Sequence, residues 1–245
     1  MPELADVEGF RRVFNDHARG AVRVRDAQVV RGTGPRTLTT ALDGARFGPA
    51  RRHGKWLIAP VRGSDDAVLL HFGMTGSLEW SDANEQEHRH DRVVFAFDDG
   101  ELRYRDMRKL EGLHLTRGDA DRERVLGDLG VDATEVSRQR LCDLLAQRDR
   151  QVKALLLDQS EIAGLGTLLA DETLWRARIR ASALSARECG RLRTRMCTVL
   201  RQAIDAGRVP RRNWLTGHRH ALRCYPATAL TPPNAPCRKA STNRA

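Results

Sequence analysis

Residues 155–175 read LLLDQSEIAGLGTLLADETLW, and this stretch decides how the second half of the chain folds. A short apolar run through Leu155–Leu157 stops at Asp158. Gly164 and Gly166 punctuate IAGLG, and TLLADETLWRAR over residues 167–178 resumes helical spacing. A short helix, a Gly-x-Gly turn and a second helix N-terminus form an arrangement whose backbone N–H groups can hold a phosphate, helped by the helix dipole. Lys153 stands just upstream and adds positive charge. A plain helix hairpin accounts for the glycines equally well, so the stretch fixes two helices and a turn and leaves the ligand open.

Working outward, Ser185 and Glu188 form an S-x-x-E capping box that opens a long helix. Leu192, Met196, Val199, Ala203 and Ile204 line one face of it, and Gly207 ends it. From about residue 217 the chain is rich in Pro, Ala, Thr and Arg without periodicity, which predicts a poorly ordered tail. Upstream, Ser137 caps a helix bearing Leu141, Leu144 and Leu145. TRGDADRERV, residues 116–125, suits a linker or a short helix. Before it the texture is β: residues 21–31 with Val22 and Val24, residues 65–72, residues 92–97, and a hairpin through Asp99-Gly100 into 101–104. One helix leads, over residues 3–18, with Val7, Phe10, Val13 and Phe14 at helical spacing. The class is α+β, a β-rich N-terminal part followed by a helical part.

Composition narrows the partners. The chain carries 42 Lys and Arg against 32 Asp and Glu, a formal net charge of +10. A basic excess of this size fits a polyanionic partner or an arginine-rich composition bias; arginine is dense over residues 176–223, so the charge is not uniform, which favours the polyanion. No apolar run is long enough to cross a membrane, and MPELADVEGFRR lacks the apolar core of a signal peptide, which predicts a cytoplasmic protein. Cys142, Cys189 and Cys197 fall in predicted helices and read as small core residues. Five cysteines, an odd count, argue against a disulfide framework.

Several short stretches carry chemistry. Met1 is normally trimmed before a proline, and Pro2 would then present a secondary amine able to attack an aldehyde-like carbon. Glu3 beside it can move protons. In RRHGKWL, residues 51–57, Lys55 lies between a polar turn and an apolar strand; a solvated strand-end lysine is the ordinary reading. In HFGMTGSL, residues 71–78, two glycines place Met74 at a turn, as a core residue or as a flexible apolar wedge. RYRDMRKLEG, residues 103–112, presents Arg105, Arg108 and Lys109 after a strand.

The start (PEL–DVE), RRHGKWL, HFGMTGSL, the Asp106–Arg108 turn, LLLDQ and AGLG–LADE occur in this order. Together, over roughly residues 2–215, they resemble the formamidopyrimidine-DNA glycosylase and endonuclease VIII family of base-excision repair enzymes. The resemblance implies a catalytic β-sandwich domain (1–116) with a leading helix, a linker (117–130), a helix–two-turn–helix DNA-binding domain (131–216), and a remnant of a zinc finger (217–245). It implies that Pro2 is the Schiff-base nucleophile, Glu3 the acid assisting base loss and sugar ring opening, and Lys55 a lysine that contacts the DNA backbone and assists catalysis. Met74 would fill the gap left by a flipped nucleotide and Arg108 would face the orphaned base. His71, His90, Leu110, Lys153, Gly164, Gly166 and Thr167 complete the implied DNA-binding set. The implied partner is duplex DNA bearing oxidised bases or abasic sites, bound by a monomer, with oxidised purines favoured by the PEL start. A noncatalytic damaged-DNA-binding paralogue is the alternative.

This chain departs from the family pattern at four places. Ala5 and Asp6 replace Pro and Glu, with little expected effect. Leu110 and Glu111 intervene before Gly112 where the family has an aromatic wedge. Thr167 replaces an Asn; it can still cap its helix, but its shorter reach predicts DNA binding weaker by about 1–2 kcal/mol. No Cys-x2-Cys pair exists, so no cofactor is expected and zinc has only Cys224 and Cys237, with His218 and His220, as weak candidate ligands.

Overall fold

The computed structural model describes residues 1–82, 85–146, 151–179, 184–209 and 214, with backbone alone at 25–27. The tail carrying His218, His220, Cys224 and Cys237 lies outside the described residues. In chain order the elements are α1 (Leu4–His17), β1 (Arg23–Ala27), β2 (Val30–Arg31), α2 (Pro35–Leu42), β3 (Arg51–His53), β4 (Trp56–Pro60), β5 (Asp66–His71), β6 (Ser77–Ser81), β7 (Asp91–Ala96), β8 (Glu101–Arg105), β9 (Leu113–Arg117), α3 (Gly118–Leu126), β10 (Val131–Asp132), α4 (Arg138–Ala146), α5 (Val152–Leu157), β11 (Ile162–Ala163), α6 (Thr167–Ala177) and α7 (Ala186–Asp205).

The alternating apolar residues of the N-terminal half build two sheets. One has the order β1-β7-β8-β6 and the other β2-β9-β5-β4-β3. Their inner faces bury Val24, Phe95, Leu102 and Tyr104 against Leu57, Val68, Leu70 and Leu115 in one core. The C-terminal half packs Leu141, Leu155, Leu169, Leu192, Met196 and Val199 into a second core. The stretch 117–130 carries α3, which lies on β9 and β5.

The leading helix belongs to both cores. Val7 and Phe14 sit in the sandwich cluster, whereas Leu4 and Ala5 sit in the helical one. Because the apolar side chains of α1 are divided between two bodies, the helix start, and with it Pro2 and Glu3, is fixed at the junction. Further contacts bolt the junction. Buried Asp132 accepts from both terminal nitrogens of Arg52, from the Gly54 amide at 2.7 Å and from the Thr134 hydroxyl at 2.6 Å. His53 Nε2 lies 3.0 Å from the Gly130 carbonyl.

The cysteine reading needs correction. Cys142 on α4 and Cys189 on α7 form a disulfide, and Cys197 is the free one among the described residues. Packing of α4 on α7 brings their Cα atoms to 5.8 Å, a proximity that counting cysteines along the chain cannot reveal. The bridge spans 47 residues and encloses α5, β11, α6 and both turn glycines. By loop-closure entropy it stabilises the helical part by about 4 kcal/mol. Urea unfolding of oxidised and thiol-reduced protein measures this; equal midpoints for the two would refute it.

Candidate active site at the domain junction

The site is built around the N-terminus of α1. Glu3 is its N-cap residue, and the Glu3 amide donates to Asp6 Oδ2 at 2.8 Å. Asp6 also accepts from the Val209 amide through Oδ1, so the shorter acid makes two structural bonds at this position. The Glu3 side chain crosses to the helical part. Its carboxylate accepts from the backbone N–H groups of Gly166 (2.9 Å), Leu168 (2.8 Å) and Leu169 (3.0 Å). The Leu4 amide donates to the Gly164 carbonyl at 3.1 Å. Glu3 therefore caps α6 from another part of the molecule, where the dipole and free N–H groups favour an anion.

That arrangement corrects the reading of Thr167 as a helix cap. Gly166 is the N-cap residue, Thr167 is the first residue of α6 and is exposed, and the capping oxygens belong to Glu3. The two glycines of the turn are required for different reasons. Gly164 has φ +109°, a conformation that disfavours a side chain. Gly166 has an ordinary φ of −122°, but a Cβ there would lie 2.4 Å from Glu3 Cδ. Gln159 braces the turn, donating to the carbonyls of Leu157 and Leu165 and accepting from the Gly164 amide at 3.0 Å.

Lys55 closes the other side. Gly54, with φ +55°, packs so tightly on the 163–164 backbone that a Cβ would fall 2.9 Å from Ala163 Cβ. Lys55 is half-buried and acts electrostatically on Glu3, so it differs from a fully solvated strand-end lysine. Burial pushes the Glu3 carboxyl above its ordinary 4.5, against the pull of the three N–H donors and Lys55. Burial pushes the Lys55 ammonium below 10.5, opposed by Glu3. His71 on β5 is likewise lowered, first by burial and then by Lys55 and His114, with Glu111 opposing. Its Nδ1 accepts from the Gly73 amide at 3.2 Å, which leaves the Nε2 hydrogen free to donate.

A pH prediction follows for Lys55. A depressed ammonium pKa means that the charge is present at low pH and is lost as pH rises through the shifted value, earlier than for an ordinary lysine. Any phosphate contact made by Lys55 should weaken across the alkaline range, and Lys55→Arg, charged throughout, should flatten that profile. Titrating the affinity for an uncleavable abasic-site duplex checks it; parallel curves for the two proteins would sink the assignment.

The remaining implied residues form a second group. Met74 is 45% exposed and Leu110 49% exposed. Arg108 Nη1 lies 3.0 Å from Met74 Sδ, so Met74 is no core residue; it stands with Arg108 on the surface. Met107, 57% exposed beside Arg108, escaped the sequence reading because a lone methionine in a charged loop has no periodicity to betray it. Arg31 supports the turn from behind through the carbonyls of Lys109 and Leu110. His90 joins this group through its neighbours: its carbonyl accepts from the Asp106 amide, and its Nδ1 lies 3.0 Å from Arg92. Lys153 is placed apart. It is not a free charge for the turn, because its Nζ is 2.6 Å from Asp171 on α6. A cavity of about 450 Å³ at the far end of α1, between Phe14, Phe47 and Arg62, contains none of these residues.

The chain matches two family models, the formamidopyrimidine-DNA glycosylase N-terminal domain over residues 1–113 and the formamidopyrimidine-DNA glycosylase H2TH domain over residues 129–212. It is 35% identical over 221 residues to the formamidopyrimidine-DNA glycosylase of Bacillus subtilis, covering 84% of this chain and 79% of that one. The enzyme of the same name from Acidothermus cellulolyticus is 36% identical over 222 residues, with 84% and 78% covered. Among solved structures, a complex of Lactococcus lactis Fpg with DNA containing an abasic site superposes with a TM-score of 0.76 at 26% identity, covering 84% and 79%. MutM in complex with DNA containing carbocyclic 8-oxo-G gives 0.76 at 28% identity, covering 84% and 81%.

Proposed function

Because this chain belongs to the formamidopyrimidine-DNA glycosylase family, we propose that its junction site excises oxidised bases, purines first among them, through a Schiff base on Pro2. It is a DNA glycosylase of base-excision repair acting on damaged duplex DNA. The observation that carries the residue assignment is the seat of Glu3. An acid next in sequence to the amine is held at a helix N-terminus, with its proton affinity raised by burial.

In this reading Met1 is removed and the Pro2 nitrogen attacks C1′ of a flipped nucleotide, whose base leaves with the glycosidic electron pair. Ring opening breaks the C1′–O4′ bond; Glu3 delivers a proton to O4′ as the iminium forms. The Glu3 carboxylate, having given its proton to O4′, takes the C2′ proton as the 3′ phosphate leaves, and a second elimination with loss of the C4′ proton expels the 5′ phosphate. Lys55 and the Nε2 hydrogen of His71 hold backbone phosphates beside the lesion. The reaction requires no metal or organic cofactor, because an amine and a carboxylic acid supply every step. Zinc is not part of the proposal, since the sequence has no Cys-x2-Cys pair. No described helix is long and apolar enough to cross a membrane; the proposal places the protein, as a monomer, in the bacterial cytoplasm at the nucleoid.

Borohydride trapping on abasic-site duplex tests the proposal. A covalent protein–DNA adduct is expected. Tight binding without any adduct would instead identify a noncatalytic paralogue, which the altered Leu110 and Thr167 positions make the relevant alternative.

A further inference from the structure

Met74, which the family resemblance implies fills the gap left by a flipped nucleotide, and Arg108, implied to face the orphaned base, stand on different loops, after β5 and after β8, yet one buried group ties the loops together. Asp106 is 1% exposed. Its Oδ1 accepts from the Thr75 hydroxyl at 2.5 Å and from the Arg108 amide at 3.1 Å, and Thr75 Oγ1 itself lies 3.3 Å from that amide. The Asp106 backbone is fixed as well, its amide donating to the His90 carbonyl and its carbonyl accepting from Arg92 Nε at 2.8 Å. Thr75 adjoins Met74 and Asp106 is two residues from Arg108. Movement of either side chain therefore pulls on the same carboxylate. Asp106 Oδ2 is buried and has no partner among the described residues, so the carboxylate keeps a spare acceptor through which the Thr75 hydroxyl or the Arg108 amide can shift without losing its bond.

Resting on the function proposed above, we infer that Thr75 and Asp106 are positioning residues that yoke the Met74 loop to the Arg108 turn, so that both side chains enter the duplex as one unit. A hydroxyl shared with a buried carboxylate suits this role, because a charge-assisted bond is short and directional. Neither residue touches the reacting atoms; each acts through its neighbour.

The test reads insertion separately from chemistry. 2-Aminopurine is placed opposite an uncleavable abasic-site analogue, and its fluorescence rise on mixing with the full chain reports entry of Met74 and Arg108. Thr75→Val, nearly isosteric, should slow that rise by about tenfold, the scale of one hydrogen bond to a charged group, and Thr75→Ser should restore it. Asp106→Asn should slow it similarly. Trapping on single-stranded abasic DNA, which has no gap to fill, should be unchanged in all three variants. In a Met74→Ala background, Thr75→Val should slow insertion no further. An equal loss on single-stranded DNA, or an undiminished tenfold effect without Met74, would overturn the yoke. A wild-type protein that inserts but never traps overturns the catalytic reading alone, because the fluorescence comparison still stands.

Discussion

Alanine at position 166 is expected to remove base excision almost completely, by about 10²–10³-fold, the range associated with losing a positioned acid, while the chain stays folded. The added methyl group would lie 2.4 Å from Glu3 Cδ and 2.5 Å from its Oε1. The backbone at Gly166 has an ordinary φ, so alanine introduces no conformational strain, and the clash falls on a side chain that can swing away. Swinging away breaks the bonds from Gly166, Leu168 and Leu169 and carries the carboxyl from its seat at the start of α6. The helix then loses its cap, at a cost of about 1 kcal/mol, too little to unfold the domain. Single-turnover excision measured beside a thermal melt separates the two effects. Retained excision at an unchanged melting temperature would show that Glu3 does not act from this seat.

Blocking the Pro2 nitrogen should have the largest effect of any change. A short N-terminal extension that resists processing turns the amine into an amide, whose lone pair is delocalised and cannot form an iminium. Excision and borohydride trapping should both fall by more than about 10³-fold, as expected when a nucleophile is deleted. Met1 is 54% exposed, so an extension projects into solvent and the fold survives it. DNA binding should persist, because Lys55 and His71 are untouched. Undiminished trapping by the blocked protein would move the nucleophile elsewhere.

Much of the architecture could be read from residue patterns. The leading helix, the hairpin at Asp99-Gly100, the Ser185–Glu188 box and the apolar face of α7 rest on local chemistry, and each has its counterpart in the structure. Short pieces such as β10 and β11 escaped notice, because two residues carry no period and their pairing joins positions far apart in sequence. The same limit explains the site. Pro2, Glu3, Lys55 and the turn glycines could be nominated from order and spacing, whereas the Cys142–Cys189 bond, the pairing of Lys153 with Asp171, and the Thr75–Asp106 contact involve partners that only packing introduces.

By itself the sequence determined which groups are available: a proline behind Met1, an acid at Glu3, a Gly-x-Gly turn at Gly164–Gly166, and a surplus of basic residues. These follow from residue type and near-neighbour spacing, which the chain carries wherever it goes. The tertiary structure decided what those groups do to one another. Leu4 and Ala5 in one core, with Val7 and Phe14 in the other, wedge the start of α1 between two bodies, and Glu3 reaches across to cap α6 while burial raises its proton affinity. Distance and desolvation set that chemistry, and both come into being only when residues 163 to 166 positions apart are packed together.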